Sequence, residues 1–116
     1  MSRHDPTVYM RHMLDFAREA VEVSQGRTRS DLDTDRLYAL AVTKLVEMIG
    51  EAAGRVPRET QVEIPNVPWA KATAMRNRLI HDYDLVDYDI VWDTIANHLP
   101  SLIAALEAIV PPWPEQ

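Results

Sequence analysis

Trp69-Ala70-Lys71-Ala72-Thr73-Ala74-Met75-Arg76-Asn77-Arg78-Leu79-Ile80-His81-Asp82-Tyr83 has the spacing of an amphipathic helix, with chemically active side chains placed where an apolar face should continue. At about 100° per residue, Trp69, Ala72, Met75, Leu79 and Ile80 fall within one arc about 140° wide, the face that meets a core. Arg76 lies inside that arc. A guanidinium there needs an acidic partner, a cleft or an interface. Asn77 and His81 share the adjoining face, about 40° apart, whereas Arg76 and His81 diverge by about 140°. On a straight helix Arg76 and His81 therefore meet only through the long arginine stem, fraying near residues 82–84, or a second copy of the helix across a homodimer.

The rest of the chain predicts helices on both sides of this segment. Asp5 and Pro6 form a capping pair, followed at helical spacing by Tyr9, Met10, Met13, Leu14, Ala17 and Val21, with Gly26 as the stop. Residues 28–33 are polar and turn-like. Leu37, Leu40, Ala41, Leu45, Met48, Ile49 and Ala52 then mark a second helix that closes at Gly54. A proline-bearing loop over residues 55–68 precedes the motif helix, for which Asn66 is the expected cap. A fourth helix starts near Asp87 and runs through Ile90, Val91, Ile95, Leu99, Leu102, Ile103 and Leu106, with a kink or break expected at Pro100. Pro111, Pro112 and Pro114 end regular structure, leaving a proline-rich tail from about residue 110. No alternating β pattern is evident, so the predicted fold is all-α, an antiparallel bundle of four to five helices forming one domain over residues 1–116. Trp92, on the far side of its helix from Ile90, and the stripe Leu40, Lys44, Glu47 and Glu51 exceed what a monomer core requires, and point to a homodimer.

Composition narrows the function classes. A length of 116 residues suits one core and not two. No apolar run approaches the roughly 20 residues that cross a bilayer, and the first residues lack the apolar stretch of a signal peptide, so a cytoplasmic location is expected. Without cysteine, disulfides, thiol catalysis and zinc-thiolate sites are excluded. The net charge of −6 is the wrong sign for a protein that coats nucleic acid, so any RNA contact must be local, with Lys71, Arg76 and Arg78 as its cations. It also argues against membrane binding. His4, His12 and His98 lack the spacing of a helical metal site, and the acidic run Asp82, Asp84, Asp87 and Asp89 lacks the glycine and terminal glutamate of a calcium loop. With three unclustered glycines there is no phosphate loop, and no metal or cofactor is expected.

Arginine supplies a permanent cation that fits phosphate, and histidine is the side chain whose ordinary pKa, about 6.5, lets it exchange a proton near neutrality. The pair suggests phosphodiester chemistry. The blander assignments are a salt bridge from Arg76 to Glu47 or Glu51, four apart on the second helix, a core role for His81, and a helix-closing ring for Tyr83.

Arg76, four residues, His81, one residue, Tyr83 resembles the RX4HXY motif of HepT-type HEPN ribonuclease toxins. The resemblance extends to residues 47–53, Val67-Pro68-Trp69, Val91-Trp92 and Leu99-Pro100-Ser101-Leu102, covering roughly residues 5–110. It implies the toxin of a type VII-like toxin–antitoxin system, silenced when a cognate minimal nucleotidyltransferase (MntA-like) transfers AMP from ATP to the motif tyrosine, here Tyr83. Taken with the resemblance, the arginine and histidine read as a metal-independent endoribonuclease in which His81 takes the proton of an RNA 2′-hydroxyl, Arg76 neutralises charge on the phosphate, and Asn77 orients phosphate or His81. The alternative is a non-catalytic helical module, binding a nucleotide or serving as the regulatory subunit of the nucleotidyltransferase.

Overall fold

A computed structural model describes residues 5–78, 80–82 and 85–111, and of residues 78, 80–82 and 85 the backbone alone. Helix α1 (Pro6–Val23) opens as predicted: the Asp5 carboxylate accepts the Thr7 amide at 2.9 Å, and Pro6 takes a first-turn position where its missing N–H is no loss. The chain leaves this helix before Gly26, whose φ of +76° is the left-handed region that glycine adopts without strain. The polar stretch that follows contains one short helix, α2 (Asp31–Thr34), instead of only a turn. Helix α3 (Arg36–Arg55) is capped by Asp35, whose carboxylate accepts the Tyr38 amide at 3.1 Å and receives Arg27 at 2.9 Å. The Tyr38 hydroxyl meets the Ser24 hydroxyl at 2.7 Å in the interior, tying the start of α3 to the end of α1.

The loop expected over residues 55–68 also holds a helix, α4 (Arg58–Glu63). Helix α5 (Trp69–Arg78) carries Arg76 and Asn77 and starts without Asn66, which is exposed; Pro68 precedes its first residue. The Trp69 indole N–H donates to the Ile64 carbonyl at 2.9 Å, so the buried ring fixes the helix start.

Helix α5 stops at Arg78, three residues short of His81. Strands β1 (Ile80–Asp82) and β2 (Leu85–Val86) then pair antiparallel, Ile80 opposite Val86 and Asp82 opposite Leu85. Ile, His and Asp are weaker helix formers than the alanine-rich 70–74 stretch, and carboxylates at a helix C-terminus oppose its dipole. Asp87 is committed to the next helix, its Oδ1 accepting the amides of Asp89 at 3.0 Å and Ile90 at 3.2 Å. The all-α architecture stands, with this small hairpin as its only departure among the described residues.

Helix α6 (Tyr88–Asp93) passes through a π-helical turn, Thr94–His98, into α7 (Leu99–Glu107). Proline lacks an N–H and crowds the preceding turn, and here the backbone answers by widening just before Pro100, which then occupies the first turn of α7. Helix α1 packs on α3 and α7, and α3 also packs on α5. Met13, Ala17, Val42, Val46, Ile49, Ala53, Ala72, Val91, Leu99, Leu102 and Leu106 are fully buried between them. Each large side chain so buried contributes about 1.5–3 kcal/mol of transfer free energy. Trp92 is half-buried against this core, whereas Leu40 stays 50% exposed. No described helix is long and apolar enough to cross a membrane.

Candidate active site

The place of Arg76 on an apolar arc has a local cause in Gly50. A Cβ added there would lie 2.7 Å from the Arg76 backbone nitrogen and 2.8 Å from its Cβ, so α3 and α5 touch backbone to backbone at this point. The base of Arg76 is therefore pressed against α3. Its stem runs outward and the side chain is 59% exposed, with Nη1 3.1 Å from Glu51 Oε2. Of the two acids expected to pair with Arg76, Glu51 is the partner; Glu47 lies 4.0 Å from Lys44.

Glu51 also faces Arg55, whose Nη2 is 3.6 Å from Oε1. Among the described side chains this cluster sets one carboxylate between two guanidiniums, a net positive group of the kind an acidic protein needs to hold a phosphate. Both ion pairs are solvent-exposed, and such pairs contribute about 0–1 kcal/mol each, so an incoming phosphate can compete for either arginine. Arg55 is not among the cations that the sequence singles out, Lys71, Arg76 and Arg78. Its i,i+4 relation to Glu51 was legible, but nothing in the spacing linked that pair to α5.

The other candidates are distributed differently. Asn77 is exposed and lines a groove between α4 and α5 with Arg58, Gln61, Trp69 and Thr73. Because α5 ends at Arg78, the i,i+4 relation between Asn77 and His81 does not exist as a helical face, and the orienting role based on it loses that support. The helical divergence of Arg76 and His81, one reason to expect a two-subunit site, disappears with it. The His81 backbone sits in β1, immediately after the helix that holds Arg76. Tyr83 lies outside the described residues. Lys71 lines a different, small pocket with Met75, Ile90, Thr94 and His98, and it is Arg55 that shares Glu51 with Arg76. His98 hydrogen-bonds Asp93 at 3.0 Å within the π turn.

A helical bundle that presents a solvent-facing arginine beside an acid, with a histidine a few residues beyond on the same connection, has the parts of a phosphate-handling site. The family described as Ribonuclease HepT-like matches residues 13–109, and the chain belongs to this family. It is 32% identical over 105 residues to a protein of Caldanaerobacter subterraneus subsp. tengcongensis named "Putative RNase", covering 90% of this chain and 94% of that one. A protein of Thermococcus cleftensis named "Probable ribonuclease HepT" is 34% identical over 95 residues, covering 78% and 86%. A Methanocaldococcus jannaschii protein, also named "Putative RNase", is 28% identical over 110 residues, covering 95% and 91%. No solved structure gives a significant match.

Proposed function

We propose that this chain is a metal-independent endoribonuclease and the toxin of a type VII-like toxin–antitoxin pair, acting on RNA in the cytoplasm. The observation that carries the reading is the solvent-facing Arg76 guanidinium, held beside Glu51 at the end of α5, in a member of a ribonuclease family. His81 removes the proton from an RNA 2′-hydroxyl. The freed oxygen attacks the adjacent phosphorus in line, the bond from phosphorus to the 5′-oxygen breaks, and that oxygen takes a proton from an imidazolium. Arg76 neutralises the charge that builds on the non-bridging oxygens. The products are a 2′,3′-cyclic phosphate and a 5′-hydroxyl. The chain works as a homodimer, its half-exposed Leu40 stripe covered by a second copy, whose His81 serves as the leaving-group acid.

Control falls on Tyr83. A cognate minimal nucleotidyltransferase directs the phenol oxygen to the α-phosphorus of ATP, pyrophosphate leaves, and a tyrosyl-AMP remains two residues from His81. Its negative charge repels the RNA backbone and competes for Arg76.

The test is cleavage of single-stranded RNA by the purified protein with EDTA present, beside a 2′-deoxy strand and folded Arg76→Ala and His81→Ala variants. Cleavage should survive EDTA, spare the deoxy strand and fall about 10²- to 10⁴-fold in either variant. Strict metal dependence, equal cutting of DNA, or undiminished variants would overturn the mechanism, and absence of cleavage would favour a regulatory subunit.

A further inference from the structure

Beside the Arg76–Glu51–Arg55 cluster a groove of about 380 Å³ runs between α1 and α3, within the roughly 300–1,000 Å³ typical of small-ligand sites. Its lining is aromatic and apolar: Tyr9, His12 and Phe16 from α1, Met48 and Ala52 from α3. The His12 and Phe16 rings have centroids 6.1 Å apart at a 42° tilt, presenting ring surface along one wall. Glu51 and Arg55 form the groove's charged end, and Arg76 reaches that end through Glu51. Guanidiniums at one end and rings along the wall match the two halves of a nucleotide, an anionic phosphate joined to a flat, largely apolar base. Unpaired bases are held by aromatic and histidine faces, while arginines follow the backbone.

The groove between α4 and α5 is larger, about 640 Å³, but among the described side chains that line it there is one cation, Arg58, and one aromatic ring, Trp69, which is buried with its N–H committed to Ile64. Its described lining has neither a second cation nor a ring wall.

We propose that the α1–α3 groove is a nucleobase subsite, taking one unpaired base of the RNA next to the phosphate held at Arg76, with His12 and Phe16 as the stacking wall and Met48 beneath. The proposal rests on the ribonuclease reading above. A ring wall reads the π-face of a base and not its edge, so binding is tolerant of sequence, favours purines by stacking area, and rejects duplex.

The experiment measures affinity of the full chain for a fluorescent single-stranded oligonucleotide made uncleavable by 2′-O-methylation, an abasic strand of equal length, and a duplex. It compares wild type with His12→Ala and Met48→Ala, both checked by thermal melting. Each variant should weaken the single strand about five- to a hundredfold and leave the abasic strand and duplex unchanged. A 4-thiouridine strand should cross-link to α1 at Tyr9, His12 or Phe16. Unchanged single-strand affinity in folded variants, or cross-links confined elsewhere, overturns the subsite. So does His12 shielded from diethyl pyrocarbonate in the RNA-free protein, since a second copy would then cover the groove. These results leave the ribonuclease reading intact if cleavage persists, whereas a wild type that neither binds nor cleaves RNA overturns both.

Discussion

Arg76 and Glu51 meet at 3.1 Å across a helix contact that exists because the residue before Glu51 is glycine. Gly50 lets the α5 backbone reach α3, and Glu51, next along α3, receives the guanidinium. Neighbouring residues thus divide the work of positioning and neutralising one arginine.

Glu51→Gln should separate catalysis from stability. The exposed pair contributes about 0–1 kcal/mol to folding, so the melting midpoint should barely move. Loss of the anionic partner leaves Arg76 less well aimed, and misplacement near an ångström lowers rate about ten- to a hundredfold. Steady-state kinetics should show the fall in kcat with KM little changed; a collapse in melting temperature with normal kcat would show a purely structural role.

Gly50→Ala and Gly54→Ala should behave in opposite ways. At residue 50 the added methyl meets backbone at 2.7 Å and forces α3 and α5 apart, an overpacking that costs about 1–3 kcal/mol. At residue 54 nothing lies within 4 Å of the new Cβ, and alanine gains about 0.5–1 kcal/mol of helix preference. Thermal melts resolve the pair, each kcal/mol shifting the midpoint by about 4 °C in a chain of this size. Equal effects at the two sites would remove the close-approach explanation.

Tyr83→Phe should cleave RNA nearly as wild type yet escape silencing by the cognate nucleotidyltransferase and ATP. Intact mass and peptide mapping report the modification directly. Adenylylation found on another residue, or a phenylalanine variant that is still silenced, assigns the control elsewhere.

Acid should unfold the protein partly through its helix caps. The amide of Tyr38 and the guanidinium of Arg27 hold the Asp35 carboxyl below its ordinary value of 3.8, and the amide of Thr7 does the same for Asp5. Both folded-state values are depressed. The unfolded chain therefore binds more protons, and the caps' stabilisation is complete above the ordinary value and lost as pH falls through the lowered ones. Melting midpoints followed downward from about pH 5 should drop less steeply for Asp35→Asn than for wild type; parallel curves would mean Asp35 plays no part.

Much of the bundle was legible from residue spacing alone. The capping pair Asp5 and Pro6, the apolar periods of α1 and α3, and the long run from Asp87 to Leu106 each carry a local signal, because burying one helical face requires a 3.6-residue repeat. Arg76 was visible too, as a residue type out of place on an apolar face, and His81 and Tyr83 through their spacing from it. Other features depended on contacts between segments remote in sequence. The choice of Glu51 over Glu47 follows from which turn of α3 lies under Arg76, and the close seating of that arginine's base on α3 follows from a glycine 26 positions earlier. The end of α5 at Arg78 reflects weak helix formers in competition with a hairpin, a balance that periodicity does not report. The α1–α3 groove, with Tyr9 and Arg55 far apart in the chain and both in its lining, exists only once those helices pack, since a helix's own period shows which face it buries and not which residues of another helix will meet it there.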